Sequence, residues 1–511
     1  MNSKSSNNYV QSVLTGLNSS EILERFRSSR ESLAKDPYRP IFHFSPPENI
    51  INDPNGLCEW NGFYHLFYQF KPEGEQRVHW GHTVSTDLVH WQDLEPAIYP
   101  TLEKDCYSGQ TIVENNRVIA IYHGTELGNC IAVSSDSMLN KWDKLPDNPV
   151  IPIVPVDKNI LPYKVFDPCI WKESDGYYSV SGVYMNGERS VDCIAVNHLF
   201  YSKNLNDWKH IGRLFTSSYF TEPGEDGAVP NFLPIGNGKH LFLFFSHKRC
   251  SQYFIGSYDQ RTHRFEPEIH GRMNYGAYQN ASLHAPSATV DKSGRVLAIF
   301  NVKEGKPTEG WQDVMTLPRQ LSLDSDGSLN ISPVSETKNL RLEEANIFNV
   351  KAEHGEDILL DNIGGKSIEI EAEIDLGSAR EAGFYVLRSI DGEEKTRVSL
   401  LRSNKHPIVK DSIQIDVSES SNHLEVYGRP PETGPIDLID DRILRLRMFI
   451  DRSIIEVFGN DKQCLTIRSY PLREDSRFIS FFSRGGTSEL LKMKVWQMKS
   501  IWNELQYRET Q

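Results

Sequence analysis

The sequence predicts an all-β protein, a five-bladed β-propeller followed by a C-terminal β-sandwich. Three features carry this reading. From about Phe42 to Leu323, short aromatic strands alternate with turns, without long helical periodicity. Within that span one strand-end pattern recurs at roughly 50–65-residue intervals: Ser85 to Trp91, Ser134 to Trp142, Tyr201 to Trp208 and, more loosely, Ser257 to Phe265. A repeat of that length suits four-stranded blades, and the span has room for about five. Beyond it the strands alternate in polarity, as in Ser367–Ile374, Leu444–Ile450 and Ile454–Phe458. Period-two alternation marks half-buried antiparallel strands, hence a sandwich.

The elements follow in order. Residues 1–40 form a tail and a short helix, capped by Ser20 and ended by Asp36-Pro37, which is expected to latch onto the next domain. Residues 41–330 are the propeller, 331–345 a polar linker and 346–511 the sandwich. The sandwich is expected to pack and not to carry chemistry, and it is the candidate surface for homo-oligomer formation.

A chain of 511 residues exceeds one compact core and suggests two or three domains. Lys+Arg 55 against Asp+Glu 69 leaves a net charge of −14, which argues against nucleic acid or an anionic membrane as partner and suits a neutral small molecule. The 7 cysteines show neither a disulfide framework nor a CxxC pair for zinc. The polar start and the lack of a spanning apolar run predict a cytoplasmic protein. A secreted form cut from its leader would read the same.

Two stretches share one design. Asn52-Asp53-Pro54-Asn55-Gly56 is a cluster of turn formers feeding the aromatic strand Phe63–Phe70, and Asp167-Pro168 feeds Cys169-Ile170-Trp171. A carboxylate fixed at a strand entrance beside an aromatic wall can serve sugar chemistry, whereas a lone Asp-Pro more often only closes a turn. A third acidic cluster, Glu222-Pro223-Gly224-Glu225-Asp226, precedes Val229-Pro230-Asn231-Phe232. Retaining hydrolysis needs two carboxyl groups about 5–5.5 Å apart, one to attack and one to shuttle the proton.

With His79-Trp80-Gly81-His82, Asp87 to Trp91, Asp451 to Phe458 and Leu465 to Pro471, these residues resemble the β-fructofuranosidases, the invertases, inulinases and levanases of glycoside hydrolase family 32. The resemblance covers nearly everything after Pro40. It implies a five-bladed propeller with its site at the mouth of the central channel. It also implies cofactor-free, retaining, exo-acting release of β-D-fructose from sucrose, fructo-oligosaccharides or fructans. Residue by residue, it implies Asp53 as nucleophile, Asp167 as transition-state stabiliser and Glu225 as acid/base, with Glu222 and Asp226 as alternatives. Asn52, Gln69, Trp80, Ser108, Phe166 and Trp311 are the implied sugar contacts. Phe67 and Trp91 read as core.

Two departures stand out. The family pattern has Arg before the second Asp, where this chain has Phe166. It also has Glu immediately before Cys-Pro-Asp-Phe, whereas here extra residues separate the acids from Val229-Pro230-Asn231-Phe232. They support a rival reading, a carbohydrate-binding relative with weak catalysis; a second rival is a fructosyltransferase with a sugar acceptor. His79/His82 and His240/His247 lack a metal-binding spacing and read as blade residues, so no metal is expected.

Overall fold

The computed structural model describes residues 20–156, 163–185, 195–216, 222, 224–276, 280–403 and 409–502. Five antiparallel sheets follow one another, led by the strands Asn49–Trp60, Cys106–Glu114, Lys164–Lys172, Ala228–Gly236 and Leu283–Val290. Each leading strand packs against the leading strands of its two neighbours, so the five close into a ring and the remaining strands radiate outward. This is the propeller predicted from the repeat. The ring is fastened where Trp311 and Gln312 pair in parallel with Asn49 and Ile50 of the first blade.

Every leading strand breaks its pairing register close to its start. The irregularities fall between Ile51 and Pro54, Cys106 and Gly109, Phe166 and Pro168, Ala228 and Asn231, and Leu283 and Pro286. A bulge re-aims the side chains inside it. The residues within these five bulges are Asn52-Asp53, Tyr107-Ser108, Asp167, Val229-Pro230 and His284-Ala285, all at the same end of the ring.

Helix Glu21–Leu33 starts at Ser20, whose hydroxyl accepts the Leu23 N–H at 3.3 Å. It latches to blade one: Phe26 meets Phe70 edge-on at 5.8 Å, and Arg30 donates to both Asp93 carboxylate oxygens and to the Ser45 carbonyl. After the last blade strand, Leu329–Pro333, a short 3-10 helix at Ser335–Leu340 leads directly into the sandwich strand Arg341–Ala352. The residues read as linker are thus largely the ends of two sheets. Two six-stranded antiparallel sheets then face each other over a core of Ile, Leu, Val and Phe.

The two domains meet through buried ion pairs. Arg319 of blade five donates at 2.6 Å to Glu456, which also accepts the Leu317 N–H at 2.8 Å, and both side chains are fully buried. Arg468 reaches back to Glu304 at 2.8 Å. The sandwich therefore braces the fifth blade. Among the described residues no helix is long and apolar enough to cross a membrane.

Candidate active site

A cleft of about 330 Å³ opens at the bulged end of the ring, in the size range of small-ligand sites. Bulge residues from all five leading strands line it: Asn52, Asp53, Tyr107, Ser108, Asp167, Val229 and His284. The remaining walls include Gln69, Phe245, His247 and Lys303. Convergence of five strand ends on one point is what closing the ring does with the sequence repeat.

Asp53 is 6% exposed. Its Oδ2 accepts from Gln69 Nε2 at 3.1 Å and from the Ser108 hydroxyl, while Oδ1 lies 3.2 Å from His284 Nδ1. Burial pushes this carboxyl up, but His284, Ser108 and the charge of Lys303 together bring it below the usual aspartate range. Burial and the nearby Lys303 charge hold the His284 imidazole down, to about 4. At neutral pH the pair is therefore a carboxylate beside a neutral imidazole, close to one another but with no hydrogen bond between Oδ1 and Nδ1. Asp53 is ionised, fixed and facing the cleft, as a nucleophile must be.

Asp167 lies on the same cleft and accepts the Val229 N–H at 3.2 Å. Val229 has φ +48°, an unfavourable left-handed conformation for a β-branched residue, so the bulge that delivers this N–H is strained. Burial raises the Tyr107 hydroxyl, and Asp105, Asp167 and Asp53 raise it further; it stays a neutral hydrogen-bonding group. Asn52 completes the floor by donating to Gln69 at 3.0 Å and accepting from Lys303 and Asn301.

The acidic loop before blade four is arranged otherwise than the sequence suggests. Glu225 does not line the cleft. Arg249 grips both its oxygens at 2.7 Å, with Gln252 at 2.7 Å, Ser246 at 3.0 Å and the Glu222 N–H at 2.8 Å. Burial alone would raise this carboxyl, but the Arg249 contact and its companions hold it low. A carboxylate kept ionised by a guanidinium is a poor proton donor. Glu222 is half exposed and pairs with Lys248 and Arg249. Asp226 is 2% exposed and turns to His247. The leading strand itself presents Ala228-Val229-Pro230 where the family pattern places its Glu, Cys and Pro.

Three expected sugar contacts, Asn52, Gln69 and Ser108, line the cleft, and three do not. Trp80 is fully buried, donates to the Tyr107 carbonyl at 2.9 Å and props the strand beneath the site. Trp311 is 2% exposed and donates to Asp36 at 2.8 Å, which makes it part of the fastener between helix, ring and sandwich. Phe166 stacks on Tyr184 at 4.3 Å and faces an adjoining hollow of about 350 Å³. Phe67 and Trp91 are core, as read.

His247, read as an ordinary blade residue, lines the cleft; His284, Tyr107, Phe245 and Lys303 also join it. A signal for the fifth blade was present. Asp53-Pro54, Asp167-Pro168, Val229-Pro230 and Ala285-Pro286 open four leading strands in the same way, which marks His284 by position.

Comparison with known proteins gives a consistent result. Residues 43–333 match the profile of the Glycosyl hydrolases family 32 N-terminal domain, and residues 336–497 that of the Glycosyl hydrolases family 32 C terminal. A levanase of Bacillus subtilis is 30% identical over 91% of this chain and 71% of its own length. A fructan 1-exohydrolase of Bromus pictus is 27% identical over 96% of this chain and 92% of its own. The crystal structure of fructan 1-exohydrolase IIa from Cichorium intybus superposes with a TM-score of 0.78 at 25% identity, covering 91% of this chain and 98% of that one.

Proposed function

The chain belongs to glycosyl hydrolase family 32, and on that premise we propose that it removes terminal fructose from β-fructosides with retention of configuration. Asp53 attacks the anomeric carbon and forms a fructosyl ester, which water then hydrolyses. Asp167 holds sugar hydroxyls, with bonds that tighten as positive charge develops on the ring. Gln69, Asn52 and Ser108 fix the nucleophile's rotamer, so little reorganisation accompanies attack. The observation that carries the reading is Asp53, buried, ionised and held from three sides at the mouth of the ring, with Asp167 on the same cleft. A small cleft at the end of a channel suits a chain end better than an internal stretch of polymer, which favours exo action.

The test is fructose release from sucrose, 1-kestose, inulin and levan, with chain-end products separated from internal cleavage by chromatography. Oligosaccharides appearing before free fructose would overturn exo action. Release of the α-anomer first, read by NMR, would overturn retention.

A second reading has its own observation. Phe166 and Ala228-Val229 remove a cation and an acid from the sugar side of the cleft, as a binding protein without turnover would. Fructoside binding with no release of fructose from any of the four substrates would favour it.

A further inference from the structure

The cleft holds a nucleophile and a stabilising carboxylate, yet the described part of the fourth blade offers it no carboxyl on its leading strand. We propose that His247, backed by Asp226, is the general acid and base of this site. The inference rests on the retaining fructoside-hydrolase reading above.

The geometry is that of a buried carboxylate orienting an imidazole. Asp226 accepts the His247 backbone N–H on Oδ1 at 3.0 Å and faces the His247 Nδ1 with Oδ2 at 2.5 Å. Tyr184 adds a weaker hydrogen bond at 3.4 Å. The His247 side chain is 24% exposed and lines the cleft, while Asp226 is buried behind it. Such a pair fixes the ring through Nδ1, and Nε2 is the nitrogen assigned to trade the proton.

His247 shares the cleft with the nucleophile and neighbours the histidine next to it. Its ring is 6.2 Å from the His284 ring at a near-perpendicular 84°, with Phe245 against both. His284 in turn lies 3.2 Å from Asp53. Among the described residues the other groups around the cleft are less suited to give up a proton: burial raises the Tyr107 hydroxyl, and Asp167 accepts the Val229 N–H. Asp53 is the attacking group, Lys303 is paired with Asp313 at 3.1 Å, and His284 is buried and neutral. Glu225, two residues from the blade strand, is committed to Arg249.

The steps balance. As Asp53 attacks the anomeric carbon, the bond to the leaving oxygen breaks and that oxygen takes the proton from His247 Nε2. The neutral imidazole then removes a proton from water, whose oxygen attacks the same carbon and expels Asp53 as carboxylate.

The test compares His247→Asn, Asp226→Asn and Glu225→Gln on two substrates. Sucrose needs its leaving group protonated; 4-nitrophenyl β-D-fructofuranoside does not. For His247→Asn the expectation is a loss of about 10²–10⁴-fold in kcat/KM on sucrose, the usual range for an acid/base group. The aryl fructoside should lose less than about tenfold. Azide should speed its turnover by trapping the fructosyl ester. Asp226→Asn keeps the imidazole and should show the same substrate selectivity in milder form. Parallel losses on both substrates in a folded, fructose-binding His247→Asn would overturn the assignment. So would the selective loss appearing in Glu225→Gln instead. Wild-type protein that binds fructose but releases none from the aryl fructoside, sucrose, 1-kestose, inulin or levan would refute the hydrolase reading itself, and this role with it.

Discussion

Asp53→Asn separates chemistry from structure, because the site can be followed atom by atom through the change. The asparagine oxygen can take the place of Oδ2 and go on accepting from Gln69 Nε2, now at 3.1 Å, and from Ser108. Its amide then faces His284 Nδ1, now 3.2 Å from Oδ1. Neither Oδ1 nor Nδ1 takes part in a hydrogen bond in the wild-type site, so the change breaks none on that side. What is lost is the charge in the bonds from Gln69 and Ser108, about 1–2 kcal/mol, since charge-assisted bonds are roughly twice as strong as neutral ones. Relief from burying a carboxylate offsets part of that. The melting temperature should stay within about 3 °C of wild type. Turnover should fall by about 10⁴–10⁶, because an amide cannot form the fructosyl ester. At about 1.36 kcal/mol per tenfold, that is roughly 5–8 kcal/mol, several times any stability change. Fructose release and calorimetric unfolding, measured on one preparation, decide it. A kcat within about tenfold of wild type, with unfolding unchanged, would refute Asp53 as the nucleophile.

Other perturbations have separable outcomes. Asp167→Asn should lower kcat by at least about 10² on sucrose, and a rise in KM alone would make Asp167 a binding group. Glu225→Gln removes the buried carboxylate that Arg249 grips and should cost about 1–3 kcal/mol in chemical denaturation, with sucrose turnover per folded molecule within about tenfold. Glu456→Gln strands the fully buried Arg319 and should cost about 3–5 kcal/mol at pH 7. Burial raises Glu456, but Arg319 and His43 outweigh it and hold the carboxyl down to about 2. Its stabilisation is therefore complete above the ordinary glutamate range and is lost as pH falls towards 2. The difference between wild type and Glu456→Gln should shrink between pH 7 and pH 3, and a constant difference would refute the linkage.

The ring and the place of Asp53 on the cleft were legible because both are written locally. An Asp-Pro turn before an aromatic strand specifies a bulged strand start, and a repeated strand end specifies a blade. Trp80 and Trp311 were misread for the converse reason: a motif places a residue on a strand, but which face meets the cleft depends on register and on neighbours distant in sequence. Trp311 is fixed by Asp36, 275 positions away. His247 carried no local sign at all. Its partner Asp226 lies 21 positions earlier, across two strands and the turn between them, and the pairing of those strands, Ala228 with Phe245 at its end, brings the two together.

The two departures from the family pattern, distant in sequence, are one event in space. Phe166 and Ala228 belong to the same buried cluster with Tyr184, Val229 and Phe245. Phe166 pairs across the blade with Gly182, where a Cβ would come within 2.2 Å of the ring, so the aromatic lies in room that only glycine leaves. Phe166 and Ala228 together form a packed apolar wall beside the cleft. That wall cannot protonate a leaving group. Among the described residues the polar pair next to this wall is His247–Asp226, with His247 on the turn one strand further out and edge-on to the ring of Phe245.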